Sequence, residues 1–339
     1  MTNKSQHLLC LLLCVAGGGC WSASQREVVV YTALDQEFSR PVFRSFTQKT
    51  GIQVLAKFDT ESTKTVGLTE ALIYERARPR CDVFWNNEIL HTIRLERQGL
   101  LERYEPREAQ QFPPMFRSTR GTWHGFAARA RVLVVNTKLV SPEERPGSIH
   151  DLTNVKWRGR VAIAKPLFGT TATHAACLFS VWGDDKAREF FKQVKRNAQV
   201  LSGNKQVAQA VSSGQAAFGI TDTDDAIIEL ERGQPIAIVY PDQEPGRLGT
   251  LFIPNTVAII KGCPHPAAAR QLVDFLLTPE VESQLAAGPS AQIPLHKKAK
   301  PGGRVETPAT LHAMEVSFEA AAEKWPTVAR FLRDEFTRK

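Results

Sequence analysis

Residues 218–230 read Phe-Gly-Ile-Thr-Asp-Thr-Asp-Asp-Ala-Ile-Ile-Glu-Leu and predict a strand that turns directly into a helix. The residues before the first aspartate are typical of a buried strand, and the apolar residues after the third aspartate recur with helical spacing. The chain repeats this order, which predicts an α/β protein with two units and crevices at the strand ends. The other predicted strands are 28–31, 52–56, 82–85, 160–164 and 236–240, and the predicted helices are 39–50, 62–78, 88–98, 171–182, 184–197 and 204–213.

The composition is that of a soluble globular protein large enough for two domains. The chain has 339 residues, of which 42% are hydrophobic and 23% are charged, and this balance excludes collagen, coiled coil and disordered chains. The formal charge is +8, but no run of five basic residues is present. Dispersed positive charge suits a protein that meets small anions, and we expect no nucleic-acid partner.

The N-terminus has the pattern of an export signal. Lys4 precedes an apolar run at 8–16, three glycines and Cys20. The run is too short for a permanent membrane span, so residues 1–20 are predicted to be a signal peptide. Small residues before a cysteine also resemble a bacterial lipobox, which predicts a lipid anchor on Cys20; ordinary cleavage nearby is the alternative. The remaining cysteines, 81, 177 and 263, show no CxxC spacing and are interpreted as small core residues.

Three carboxylates crowd the turn after the strand at 218–221. Asp222, Asp224 and Asp225 would repel one another unless positive charge lies among them. Helix capping explains one or two aspartates at this position, because a carboxylate there accepts from free amides. Three together exceed what capping needs and indicate a binding site.

A second turn is suited to an anion. The strand at 160–164 leads to Gly169, Thr170 and Thr171 at a helix start, and Asn204 opens another helix after a glycine. Glycine allows close backbone approach, and hydroxyls with free helix amides hold phosphate, carbonate or carboxylate. A glycine turn with threonine caps is the alternative. His174 alone is interpreted as a supporting residue rather than a ligand.

Most catalytic motifs are absent from the sequence. There is no GxSxG elbow, HExxH helix, Walker loop or GxGxxG turn. No motif therefore supports a serine hydrolase, a zincin, an NTPase or a Rossmann dehydrogenase. Asp222-x-Asp224 resembles the first motif of aspartyl-nucleophile phosphatases, which use Mg²⁺. The motif lies about two-thirds along the chain and lacks its downstream partners, so phosphatase is a remote alternative and we expect no enzyme.

Several ordered motifs together resemble the extracellular solute-binding proteins of ABC importers, in the ferric-iron-binding branch. These motifs are VVVYTALD at 28–35, CDVFWNNE at 81–88, ARARVLVVNT at 128–137, the Gly-Thr-Thr turn, GNKQVAQAV at 203–211 and FGITDTDD at 218–225. The resemblance implies a type II periplasmic-binding fold, with two α/β lobes joined by hinge strands that close over ligand. It also implies an exported monomer that delivers its ligand to a membrane permease and meets the membrane through its lipid anchor alone. The expected lobes are 27–131 with about 255–295, and 135–250 with about 299–339.

The resemblance also implies a set of ligand residues. Ferric-binding relatives place two tyrosines where this chain has Asp224 and Asp225. Carboxylates still suit a hard cation, so iron or another such metal ion with a synergistic anion is the expected cargo. A phosphorylated organic solute, such as a sugar phosphate, is the alternative. The implied ligand positions are Asp35, Asn87 or Glu88, Asp224 and Asp225, and the implied anion positions are Gly169, Thr170, Thr171, Asn204 and Arg129 or Arg131.

Overall fold

The computed structural model describes residues 26–59 and 65–337. The predicted signal peptide and Cys20 lie outside these residues. The strands are β1 (Glu27–Thr32), β2 (Gln53–Phe58), β3 (Val83–Asn86), β4 (His124–Asn136), β5 (Val161–Ala164), β6 (Ala198–Leu201), β7 (Phe218–Asp222), β8 (Ile236–Val239) and β9 (Phe252–Ile259). The helices are α1 (Gln36–Thr50), α2 (Val66–Tyr74), α3 (Leu90–Arg97), α4 (Gly169–Trp182), α5 (Asp184–Asn197), α6 (Asn204–Ser212), α7 (Thr223–Glu231), α8 (Pro266–Leu276), α9 (Pro279–Ala287) and α10 (Phe318–Thr337).

The strands form one continuous path in the order β2-β1-β3-β9-β4-β7-β5-β6, and β8 also pairs with β4. The outer strands pair in parallel on both sides, β2 and β3 with β1, and β6 and β7 with β5. The long strand β4 runs antiparallel to β9 through its first half and to β7 through its second. Two α/β groups therefore share β4 and β9, which confirms the mixed α/β prediction. The bounds of the two lobes remain a prediction.

Local sequence predicted most elements within a few residues, and the differences have local causes. Helix α1 begins at Gln36 rather than Ser39, because the carbonyl of Asp35 accepts from the amides of Phe38 and Ser39 at 3.0 and 3.1 Å. Helix α4 begins two residues early, at Gly169. Strand β6 was not predicted, since four residues between two helices carry too little periodic pattern.

The core extends through both groups of strands, and α10 packs across it. The aromatic rings of α10 meet partners from three parts of the chain: Phe318 lies 6.3 Å from Phe116, Trp325 lies 6.0 Å from His91, and Phe331 lies 5.8 Å from Phe179. Cys81 and Cys177 are buried free thiols and Cys263 is half-buried, in agreement with the core interpretation. Among the described helices, none combines the length and apolar character needed to cross a membrane.

Gly219 is required by close packing in the middle of β7. A Cβ atom at this position would lie 2.6 Å from both the carbonyl oxygen of Ala162 and Cγ1 of Val207. We expect Gly219→Ala to lower the free energy of unfolding by about 2 to 3 kcal/mol, because backbone on β5 cannot move aside cheaply. Urea unfolding measures this loss. Gly147→Ala is the control, since a Cβ there meets nothing within 4 Å, and equal effects of the two substitutions would contradict the packing argument.

Candidate functional site

A cavity lies where the strand ends of the two groups meet. Its space is about 610 Å³, part of which is open to solvent. The turns after β1, β3, β5, β6 and β7 all contribute to its wall, because the carboxyl ends of these strands face the same region. The lining residues are Leu34, Asp35, Phe38, Asn87, Arg129, Ala164, Lys165, Phe168, Gly169, Thr170, Thr171, Ser202, Gly203, Asn204, Lys205, Asp222, Asp224 and Asp225.

Two helix N-termini give one side of this cavity an anion-binding character. The first bond within α4 runs from the amide of Ala172 to the carbonyl of Phe168, and the first within α6 runs from Val207 to Gly203. The three amides before each of these have no acceptor within their own helix. Lys165 and Lys205 line the same side. Amide dipoles and two ammonium groups together favour phosphate or carboxylate.

Asp222 is a buried carboxylate held by many donors. It lies opposite Arg131 in the antiparallel pairing of β4 with β7, and Nη1 of Arg131 donates to its Oδ1 at 2.6 Å. Its Oδ2 accepts from Oγ1 of Thr170 at 2.5 Å and from Nδ2 of Asn204 at 2.9 Å. Burial alone would raise the pKa of Asp222, but the charge of Arg131, then that of Arg129, and the hydrogen bond from Thr170 hold the pKa below its ordinary value. Asp222 is therefore ionised and belongs to the wall of the site.

The predicted anion residues are brought together, but their side chains are already engaged. Arg131 also donates to Oγ1 of Thr170 and Thr171, at 3.3 and 3.2 Å, and to Oδ1 of Asn204 at 3.1 Å. Oγ1 of Thr171 donates to the same Asn204 oxygen at 3.0 Å. Arg131 lies behind the cavity and not in its wall. Thr170, Thr171 and Asn204 therefore line the cavity with side chains that are already hydrogen-bonded.

Arg129 supplies buried positive charge inside the cavity. Its Nη1 lies 3.4 Å from Oδ2 of Asp224 and 3.9 Å from Oδ2 of Asp222. Burial would lower the pKa of Arg129, but the carboxylates of Asp224, Asp222 and Asp225 raise it above its ordinary value. Its Nε and Nη2 have no hydrogen-bond partner among the described residues, although the side chain is only 4% exposed. Buried donors without partners are costly, so these atoms favour an incoming acceptor.

The three aspartates also form a possible cation site. One carboxylate oxygen from each of Asp222, Asp224 and Asp225 lies within 4.8 Å of the others. Asp224 is buried and Asp225 is half-buried, and Asp35 lines the opposite wall of the same cavity. Oxygen donors at this spacing suit a hard cation. None of the lining residues is a tyrosine, so no phenolate is available at this cavity in the described structure.

Glu88 is not among the residues that line the cavity, and its role as a ligand residue remains a prediction. Its carboxylate is fully buried and accepts from Nδ2 of Asn86 at 2.7 Å, the amide of His91 at 3.0 Å and Oγ1 of Thr173 at 2.8 Å. It caps the start of α3, where free amides attract a carboxylate. Asn87, the other residue proposed for this position, does line the cavity.

Sequence reasoning missed several residues of the site. Lys165 and Lys205 stand in the turn after β5 and at the start of α6, and their positive charge at those turns could have predicted an anion site. Gln292, which follows α9, donates its Nε2 to Oδ2 of Asp224 at 3.4 Å. No sequence pattern near Gln292 indicated this contact, because it joins segments 68 residues apart.

His174 is buried behind the anion turn and is kept neutral. Burial, followed by the charge of Arg131, lowers its pKa to about 3. The unfolded chain binds this proton near pH 6.5, so His174 stabilises the fold above pH 6.5 and this contribution is lost as the pH falls toward 3. We expect His174→Asn to flatten the decline in unfolding free energy below pH 6.5, by up to about 1.4 kcal/mol per pH unit. Urea unfolding at pH 7 and 5 tests this, with the exposed His312→Asn as control; an unchanged slope would count against a neutral His174.

The chain is similar to known proteins in both sequence and structure. A family model described as "Bacterial extracellular solute-binding protein" matches residues 92–313. Iron uptake protein A1 of Synechocystis sp. is 27% identical over 302 residues, which cover 84% of this chain and 82% of that protein. Iron-bound HitA of Pseudomonas aeruginosa superposes with a TM-score of 0.82 at 24% identity, covering 91% of this chain and 99% of HitA. AfuA of Actinobacillus pleuropneumoniae, with exogenous fructose-6-phosphate bound, also gives 0.82 at 24% identity, covering 93% and 100%. These structures confirm the type II periplasmic-binding fold.

Proposed function

Because the chain belongs to the bacterial extracellular solute-binding protein family, we propose that its cavity captures a small organic solute that carries a phosphate or phosphonate group. The observation that carries this proposal is Arg129, whose Nε and Nη2 lack partners while it lines the cavity beside two helix N-termini. A guanidinium with free donors is suited to a doubly charged oxyanion. Amino or hydroxyl groups of the solute would then meet the carboxylates across the cavity.

The distribution of charge in the site supports a solute that carries an anionic group at one end and donor groups at the other. Four carboxylates line the cavity, at positions 35, 222, 224 and 225, and three cationic groups, at positions 129, 165 and 205, line it with Arg131 directly behind. A bare trivalent cation would therefore come to rest close to two guanidinium groups, which repel it. A phosphate fits the cationic side without that cost.

A hard metal ion with a synergistic anion is the second candidate. The observation that favours it is the approach of three aspartate oxygens to within 4.8 Å of one another. The name of the Synechocystis relative, iron uptake protein A1, points to the same cargo. In this arrangement the anion would occupy the α4 and α6 ends and neutralise Arg129, while the aspartates would hold the ion.

A panel of ligands separates the two candidates. We expect fructose 6-phosphate or 2-aminoethylphosphonate to raise the melting temperature, since a ligand at about 100 times its Kd adds about 2.7 kcal/mol of stability. Inorganic phosphate and ferric citrate complete the panel, and native mass spectrometry reports what is bound. Stabilisation by ferric citrate alone, with bound iron, would favour the second candidate. No shift with any phosphorylated or phosphonate compound would contradict the first.

The two lysines provide a sharper test of the same proposal. Lys165→Gln with Lys205→Gln should weaken binding of an organic phosphate at least about tenfold, because each lysine contributes a charge-assisted contact in a partly closed cavity. Lys297→Gln with Lys298→Gln removes the same charge from an exposed surface and serves as control. Titration calorimetry measures both. Equal affinities of the two double variants would place the phosphate elsewhere.

The protein itself would be exported and would deliver its solute to a membrane permease. The protein would be held at the membrane by a lipid on Cys20 and would present its loaded form to an ABC importer permease. We expect no covalent chemistry on the solute, since the family to which the chain belongs consists of solute-binding proteins. The mass of the mature protein should show a diacylglycerol on an N-terminal Cys20. An unmodified mature N-terminus would contradict the anchor.

A further inference from the structure

Gln292 is a buried amide whose two ends are both engaged. Its side chain is fully buried in the segment after α9, and its Nε2 donates to Oδ2 of Asp224 at 3.4 Å. Its Oε1 accepts from Nδ2 of Asn255 at 2.8 Å. Asn255 lies on β9 and is also fully buried. A cavity carboxylate on α7 is therefore joined through Gln292, in the segment after α9, to Asn255 on the shared strand β9.

Asn255 also connects Gln292 to an irregular part of β4. Asn255 Nδ2 also donates to the carbonyl of Ala127, at the point where the pairing of β4 with β9 shifts between Phe126 and Arg129. Ala127 has a φ of 43°, which L-residues adopt only under local constraint. Ala128 and Ile293 exchange two backbone hydrogen bonds of 2.7 Å beside it. This bulge precedes the half of β4 that pairs with β7.

We infer that Gln292 is a positioning residue that fixes the carboxylate of Asp224 and ties it to the bulge of β4. The inference rests on the proposed function only in that Asp224 meets the solute. Buried polar groups cannot lose a partner without cost, so Asp224 and the bulge do not move independently. A solute that binds Asp224 would therefore also affect β4, which both groups of strands share.

A reciprocal exchange of the two side chains tests this contact in the ligand-free protein. Gln292→Glu keeps the acceptor for Asn255 but sets a second carboxylate against Asp224, so we expect the unfolding constant to rise about tenfold or more. Asp224→Asn alone retains a possible acceptor for Gln292. In the double variant the donor and the acceptor are exchanged, and we expect stability to return to within about threefold of Asp224→Asn. Gln284→Glu, exposed on α9, is the matched control and should show no dependence on position 224.

The outcomes are decisive without knowledge of the ligand. Rescue in the double variant supports the inference, and so does a double variant that folds where Gln292→Glu does not. If Gln292→Glu raises the unfolding constant by the same factor with Asp or Asn at position 224, Gln292 contributes only to local packing and the inference is overturned. Gln292→Met in an Asp224→Ala background gives the same cycle without added charge. Failure of the ligand panel would remove the proposed function and leave this result standing.

Discussion

Replacing Asp224 and Asp225 together by asparagine should abolish ligand binding while the protein stays folded. Asp224 is buried against Arg129 at 3.4 Å, and Asp225 lines the cavity beside it. An organic solute would lose the anionic acceptors for its amino or hydroxyl groups, because each asparagine keeps only one neutral acceptor oxygen, and a metal ion would lose two anionic oxygen ligands. We expect an affinity loss of at least about a hundredfold, since two charge-assisted contacts of about 1.5 to 3 kcal/mol each disappear. Calorimetric titration with the compound that binds the wild-type protein measures it.

The control for this prediction is a pair of exposed acids. Glu143→Gln with Glu144→Gln removes the same charge from a surface turn and should leave affinity unchanged. Far-UV circular dichroism and the unfolding midpoint of each double variant verify the fold. Unchanged affinity of a folded Asp224→Asn, Asp225→Asn variant would remove these residues from the site.

The two cargo candidates respond in opposite ways to Arg129→Met. An organic phosphate loses its guanidinium partner, whereas a metal ion titrated without an added synergistic anion gains from the removal of a positive charge 3.4 Å from Asp224. Affinity for the solute that binds the wild-type protein should therefore fall about tenfold or more if it is a phosphate, and hold or rise if it is a metal. The direction of the change, measured by the same titration, decides between the candidates.

Replacing Arg131 by methionine should destabilise the protein more than any other substitution at the site. Arg131 is 1% exposed, and among residues 26–59 and 65–337 it donates to four, of which Asp222 is the only charged one. Without Arg131, the buried carboxylate of Asp222 keeps one nearby cation, Arg129, whose Nη1 lies 3.9 Å from Oδ2 of Asp222. Removing one partner of a buried ion pair costs about 3 to 5 kcal/mol, and we expect a loss of that size in urea unfolding.

The pH dependence identifies the cause of this loss. Without Arg131 the pKa of Asp222 should rise above that of the unfolded chain, so the variant should be least stable at high pH and should recover as the pH falls. Arg131→Met with Asp222→Asn removes the stranded charge and should be more stable than Arg131→Met alone. The exposed Arg158→Met is the control. A loss that is independent of pH and is not relieved by Asp222→Asn would show that packing, and not the buried charge, is what Arg131 supplies.

Features that depend on neighbouring residues were predictable from the sequence. Helix α5 has the predicted bounds, 184–197, because its apolar spacing and flanking Gly183 act within a few residues. The turns with Asp35, Gly169, Asn204 and Asp222 were likewise visible as polar residues at strand ends. An α/β topology then brings those ends to one crevice, so the cavity and most of its wall followed from the order of elements.

The pairing within the site was decided by tertiary structure alone. Arg131 meets Asp222 across 91 residues because the register of β4 with β7 sets them opposite each other, and Gln292 reaches Asp224 across 68. Glu88 and Asn87 are adjacent in sequence, yet one caps α3 and the other lines the cavity, since the chain turns between them. The sequence by itself determined the α/β order and the polar residues at the strand ends. Strand register and side-chain direction, which depend on distant partners, decided which of those residues neutralise one another and which face the ligand.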